Sequence, residues 1–271
     1  MKKLRILLAI LFIAPIFVSC SSDSSDPNLN TTAETISAKW NVAGTSEYQS
    51  FEFNKSGNYI VIKKGLTTFS SDDESNQVIL FGTYQINNDV ITLSNFGKLT
   101  VSDVTSNSIS FKLALNTEPN NEIAITATKQ AEMANSTKTD LLCRTWEIIT
   151  VDDVSVVGTE DEEMTVLFSR AGTYFVNRPN DTEDAGGLAE WKWKNSSENI
   201  MLYSWDNWDT SEGANGEVTI IELTANKLVI FEDYGDDGSE TFVLIPVQNT
   251  AYTSASINQA NGINTRKGFI K

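Results

Sequence analysis

The side chains in this sequence best suited to chemistry are aromatic and acidic rather than nucleophilic. Trp191, Trp193, Trp205 and Trp208 crowd one stretch together with Tyr203. Indole faces stack on sugar rings or line apolar pockets, and tryptophan is prominent where binding energy is concentrated. Packing into a core is the competing use. Trp191 and Trp193 alternate with Glu190, Lys192 and Lys194, the period of two that marks a half-buried strand, and this turns both indoles inward. Trp205 and Trp208 sit differently, in the polar run Ser204-Trp205-Asp206-Asn207-Trp208-Asp209-Thr210-Ser211-Glu212-Gly213. Two tryptophans in such a loop either dock on the scaffold or contact a ligand, since functional residues favour loops on rigid frames.

Carboxylates form three clusters: Asp72-Asp73-Glu74, Glu160-Asp161-Glu162-Glu163, and Asp233 with Asp236, Asp237 and Glu240. Oxygen-rich loops can hold Ca²⁺, but in Asp233-Tyr234-Gly235-Asp236-Asp237-Gly238 a glycine stands where a third ligand is needed. Charge blocks of this kind read as solvated hairpin tips. A carboxylate pair serves glycoside hydrolysis, yet none of these acids sits in a recognisable acid–base motif. The chain has no histidine, which removes the Ser-His-Asp arrangement and histidine metal sites. Cys143 lies among apolar neighbours with no base to activate it and reads as a buried, inert thiol. The expectation is a protein that is not an enzyme, with no catalytic residue, no metal and no cofactor.

With 20 basic against 36 acidic residues, the formal net charge is −16. Phosphate binding needs a cationic footprint, so nucleic acid is not an expected partner. Electrostatic docking on anionic headgroups is disfavoured for the same reason.

The elements that position the aromatics occur twice. Each copy opens on a tryptophan strand, around Trp40 and Trp146. Each continues with a hairpin in which Phe, then Gly, then Tyr recur at the same spacing: Phe53-Gly57-Tyr59 and Phe168-Gly172-Tyr174. The glycine supplies the left-handed position of the turn. Tyr84 and Ile86 then correspond to Trp191 and Trp193. Val104-Thr105-Ser106-Asn107-Ser108-Ile109 corresponds to Leu223-Thr224-Ala225-Asn226-Lys227-Leu228, with Thr and Asn as turn formers and Asn tolerating positive φ. About eight short strands per copy, with turns at roughly ten-residue spacing, define an all-β protein of two antiparallel barrels or sandwiches. No long amphipathic helix is expected.

The N-terminus is a targeting segment. Lys2, Lys3 and Arg5 precede an apolar run, Leu7 to Val18, that is short for a bilayer span. It ends at Phe17-Val18-Ser19-Cys20, which resembles the lipobox of bacterial lipoproteins, with Phe17 in place of the usual Leu. The resemblance implies lipidation at Cys20 and an anchor in outer-membrane lipid. Asp23 and Asp26 in the following Ser/Asp-rich tether resemble the surface-sorting patch of some Bacteroidetes lipoproteins; a plain flexible spacer is the alternative. An outward-facing position is expected, with a periplasm-facing one as the other possibility.

The opening tryptophans, the Phe-Gly-Tyr hairpins and the Thr-Asn turns together resemble the lipocalin-like domains of Bacteroidetes lipoproteins. That resemblance implies two tandem small eight-stranded barrels. The expected layout is signal peptide 1–19, tether 20–33, first domain 34–130, linker 131–138, second domain 139–249 and a loose tail 250–271 that packs on the second domain or is disordered. The function implied is non-catalytic binding of a small apolar or amphipathic ligand. A carbohydrate-binding surface module using the loop tryptophans and a structural subunit of an envelope assembly are the alternatives. A ligand site is expected in the second domain, near one barrel mouth, with Trp191, Trp193, Tyr203, Trp205 and Trp208 around it, because these are what the first copy lacks.

Overall fold

The computed structural model describes residues 29–44, 46–64, 77–181, 185–205, 216–247, 255–259 and 268–269. Cys20, the acidic trio at 72–74 and Trp208 lie outside them. Two closed antiparallel barrels make up the fold. The first consists of β1 (Lys39–Val42), β2 (Tyr48–Phe53), β3 (Asn58–Lys64), β4 (Gln77–Asn87), β5 (Val90–Leu93), β6 (Gly97–Val104), β7 (Ser108–Leu115) and β8 (Glu118–Lys129). Each strand pairs with the next, and β8 returns to β1. The second consists of β9 (Thr145–Val151), β11 (Thr165–Phe168), β12 (Thr173–Asn177), β13 (Gly186–Trp193), β14 (Ile200–Ser204), β15 (Gly216–Leu223), β16 (Leu228–Asp233) and β17 (Ser239–Pro246), which closes on β9. A two-residue arm, β10 (Val154–Ser155), pairs with β9. Closure pairs each barrel strand on both sides and so limits free edges, the main hazard of an all-β chain, to strand ends.

Alternation drives the strands. In β6, Leu99 and Val101 are buried while Lys98, Thr100 and Ser102 are exposed, the alternation by which one face of a barrel strand fills the core. The inner faces give one apolar cluster per barrel. A short helix seals one end of each: α1 (Ala33–Ile36), capped by Thr32, and α2 (Thr137–Leu142), capped by Ser136. The opening tryptophans lock these helices down. Trp40 donates its indole N–H to the Ile36 carbonyl at 2.7 Å, and Trp146 donates to Leu142 at 3.0 Å.

The duplicated turns differ in one respect from the expectation. Gly57 and Gly172 take φ of 87° and 82°, as a left-handed turn position requires. Asn107 and Asn226, however, do not have positive φ. The threonines close these turns instead: the Thr105 and Thr224 hydroxyls accept from the N–H two residues on, at 3.2 and 3.3 Å.

The barrels pack side by side through outward-facing residues of β3, β4, β11, β12 and β13. Ile60, Ile62, Ile79 and Phe81 meet Leu167, Phe175 and Leu188, with the Phe81 and Phe175 rings 4.8 Å apart. Between the barrels the buried Thr173 hydroxyl also donates to the buried Glu52 carboxylate at 2.7 Å.

Two further expectations are corrected. The tail is not confined to the second barrel: β18 (Ala255–Gln259) adds antiparallel to β4 of the first. The reason is length. β5 pairs only with Tyr84–Asn87, so the Gln77–Phe81 end of β4 keeps an open edge. Nor is the 160–163 cluster wholly solvated. Asp161 is buried and pairs with the buried Arg178 at 2.9 Å, and Arg178 also holds Asp181 at 2.7 Å; burial of charge requires such pairing. Asp233, Asp236 and Asp237 are exposed at a hairpin tip. Among the described residues no helix is long and apolar enough to cross a membrane.

Candidate functional site in the second barrel

Strand β16 turns Leu228, Ile230 and Glu232 to the interior, as β7 turns Ile109, Phe111 and Leu113 in the first barrel. The register makes the match residue by residue: Glu232 lies opposite Val218, and Leu113 opposite Leu99. A carboxylate therefore stands where the first copy has leucine. Glu232 is 2% exposed, a position that is costly for a charge unless it is well hydrogen-bonded.

Its partners explain how it is tolerated. Tyr203, which pairs with Trp191 as Leu93 pairs with Tyr84, donates its hydroxyl to Glu232 Oε1 at 2.5 Å. The backbone N–H of Phe269 donates to both carboxylate oxygens, at 3.1 and 2.9 Å. Gly216 lets the tyrosine reach this point, since a Cβ there would lie 2.4 Å from Tyr203 Oη.

Phe269 belongs to the tail, well beyond the last barrel strand, yet it is fully buried inside the second core. Its ring stacks on Tyr174 at 4.5 Å and on Phe168 at 6.0 Å, with Tyr203 edge-on at 5.3 Å. The Tyr174 hydroxyl donates to the Phe269 carbonyl. The Trp205 indole N–H donates to the Gly268 carbonyl at 2.9 Å. The first barrel solves the same problem from its own wall. There Tyr59, the counterpart of Tyr174, stacks with Phe96 at 6.5 Å and donates to the Ser94 carbonyl at 2.7 Å.

Burial pushes the Glu232 carboxyl above the usual carboxylate range. The Tyr203 hydroxyl, the Phe269 amide and the Tyr234 hydroxyl pull it back in part, and the nearby Glu240 charge pushes it up further. Burial and the hydrogen bond to Glu232 also push the Tyr203 hydroxyl up, so it remains a donor. A carboxyl raised on folding binds its proton more tightly in the native state, so its contribution to stability is greatest at low pH and is lost as pH rises through the folded value. Stability is accordingly expected to fall as pH rises from the unfolded carboxylate range through the raised value of Glu232. In Glu232→Gln this component of the fall should vanish. Melting temperatures of both chains across that range check it; parallel curves would contradict it.

The sequence-predicted residues are only partly brought together. Tyr203 and Trp205 flank the slot. Of the two uses expected of Trp205, it docks: it is buried directly after β14, with its N–H committed to Gly268. Trp191 and Trp193 lie toward the end sealed by α2. Trp191 donates to the Ser169 carbonyl at 3.0 Å, and Trp193 donates to Thr139 on α2 at 2.9 Å. Trp191 nonetheless borders the slot, lying directly across from Tyr203 in the strand register and edge-on to Phe168 at 5.8 Å, whereas Trp193 is turned to α2. Sequence reasoning missed Glu232, Tyr174 as a donor, and Phe269. For Glu232 a signal existed, because the two copies aligned at Leu228 and Ile109 set it against Leu113.

Cys143 is half-buried rather than fully buried, and burial, with the fields of Glu52 and Glu132, pushes its thiol up to about 12, which disfavours the thiolate at neutral pH. Among the described residues no group of three or more acidic or thiol side chains is placed to hold a metal ion.

The class these observations define is a tandem of closed eight-stranded antiparallel barrels, the second with a polar group buried inside it. No protein-family model matches the chain, and no curated protein matches it.

Proposed function

We propose that the chain is a non-catalytic binding lipoprotein of the lipocalin-like type, in which the second barrel holds a small amphipathic ligand. One observation carries this reading. The second barrel keeps a buried hydrogen-bonded carboxylate, Glu232, and a Trp205 donor beside the tyrosine donor that both barrels share, and the duplicate barrel has leucine at the carboxylate position. Small-ligand sites combine a mostly apolar lining with a few convergent polar groups of this kind. Glu232 accepts hydrogen bonds, so the ligand is one that offers a donor. Titrating intrinsic tryptophan fluorescence with a long-chain amine, a fatty acid, a porphyrin and an oligosaccharide tests the reading. Saturable binding of the amine, with weaker binding of the fatty acid, is expected; selective binding of the oligosaccharide would favour a glycan-binding module instead.

Acylation of Cys20 anchors the barrels to outer-membrane lipid in this proposal, facing the cell exterior. Each buried CH₂ of an acyl chain contributes about 0.8 kcal/mol, so several chains hold the protein firmly. Cys20→Ala should move the protein from the membrane fraction to the soluble fraction. Protease added to intact cells should digest the anchored form; digestion only after lysis would place it in the periplasm.

A further inference from the structure

We propose that the mouth of the second barrel is a receptor slot for an aromatic side chain carried on a peptide-type backbone, and that the chain's own Gly268–Phe269 occupies it as an exchangeable competitor. The inference rests on the ligand-binding reading above and narrows it to a chemical class. The wall supplies every recognition group: Glu232 accepts the amide N–H, Tyr174 and Trp205 donate to two successive carbonyls, and Phe168, Tyr174 and Tyr203 surround the ring. The tail contributes one aryl ring, one N–H and two carbonyls, which any aromatic residue in a peptide also carries. The first barrel shows that this fold does not require a remote segment, because Phe96 and Ser94 of its own β5–β6 turn serve Tyr59 in the same way. The second barrel has left the position to a segment that is not part of its wall.

A tethered occupant acts at high effective concentration. A free ligand then binds with an apparent affinity lowered by the fraction of chains whose slot is open. The tail therefore sets a threshold that only a well-matched or abundant ligand crosses.

The test uses the full chain and its Phe269→Ala variant, with N-acetylphenylalaninamide and dodecylamine as probes and tryptophan fluorescence as readout. Phe269→Ala should bind the aryl amide at least about tenfold more tightly than the unaltered chain, the factor expected if nine slots in ten are occupied. Adding Glu232→Leu should abolish the gain. Equal affinities in the unaltered chain and Phe269→Ala would overturn the proposal. Binding of dodecylamine but not of the aryl amide by Phe269→Ala would overturn it while leaving the broader reading intact, and binding of neither would remove both. If Phe269→Ala does not fold, Phe269→Leu keeps an apolar filler and allows the same comparison: tighter aryl-amide binding than the unaltered chain supports the proposal, and unchanged binding overturns it.

Discussion

Trp146→Ala is expected to destabilise the second barrel by about 3–5 kcal/mol, and Trp40→Ala the first by a similar amount. Both indoles are fully buried and rank among the largest side chains in their cores. Each also anchors the helix that seals its barrel, through the N–H donated to Leu142 or Ile36. Alanine removes the packed volume and the indole hydrogen bond, two costs that fall on the same site, although the Leu142 carbonyl keeps the Arg144 N–H at 2.8 Å. A domain has about 5–15 kcal/mol in total, so either change removes a large share. Phe at the same positions keeps most of the volume and loses the hydrogen bond, so a smaller loss is expected, about 1–3 kcal/mol. Denaturant unfolding of the four variants checks this. A Trp146→Phe chain as unstable as Trp146→Ala would show that the hydrogen bond, not the volume, dominates.

The contact between the barrels gives the second large effect. Phe81 and Phe175 are buried against each other on surfaces that face outward from their own barrels. Phe81→Ala and Phe175→Ala are each expected to cost about 3–5 kcal/mol if the interface and both barrels unfold together. The double variant should cost less than the sum, because the stacked pair is lost once; a coupling of about 0.5–3 kcal/mol is typical for residues in contact. Strict additivity would mean that each ring packs only on its own barrel. The same contact predicts that either half expressed alone exposes an apolar patch, Ile60, Ile62, Ile79 and Phe81 on one and Leu167, Phe175 and Leu188 on the other. Such patches promote association between copies.

The sequence revealed the scaffold more readily than the site, for identifiable reasons. The duplication was legible because fold-determining residues recur at fixed spacing: Trp40 with Trp146, Gly57 with Gly172, Tyr59 with Tyr174. Period-two alternation correctly turned Trp191 inward. It could not show that Trp193 spends its N–H on α2, because a contact with a helix lies outside the strand pattern. Trp205 looked like a loop residue since its neighbours are polar, and only tertiary contact with Gly268 reveals its burial. Glu232 was legible in principle, as one acid in an otherwise apolar inward series. Phe269 was not: an isolated aromatic, far from Tyr252 in a segment rich in Ser, Asn and Gly, carries no periodic signal, and its partners are remote in sequence. The edge left on β4 for β18 was equally hidden, because it follows from a difference in strand length rather than from residue type.

The central claim is that Glu232 makes the second barrel a binding site and not merely a filled core. Titration calorimetry of Phe269→Ala and of Phe269→Ala with Glu232→Leu against dodecylamine tests it most directly, since the tail's ring is absent from both and the second variant installs the first barrel's residue. A hydrogen bond to a charged group contributes about 1.5–3 kcal/mol, so affinity should drop at least about tenfold when leucine replaces Glu232, while the barrel remains folded by far-UV circular dichroism. Equal affinities in the two chains, or no binding by either, would contradict it.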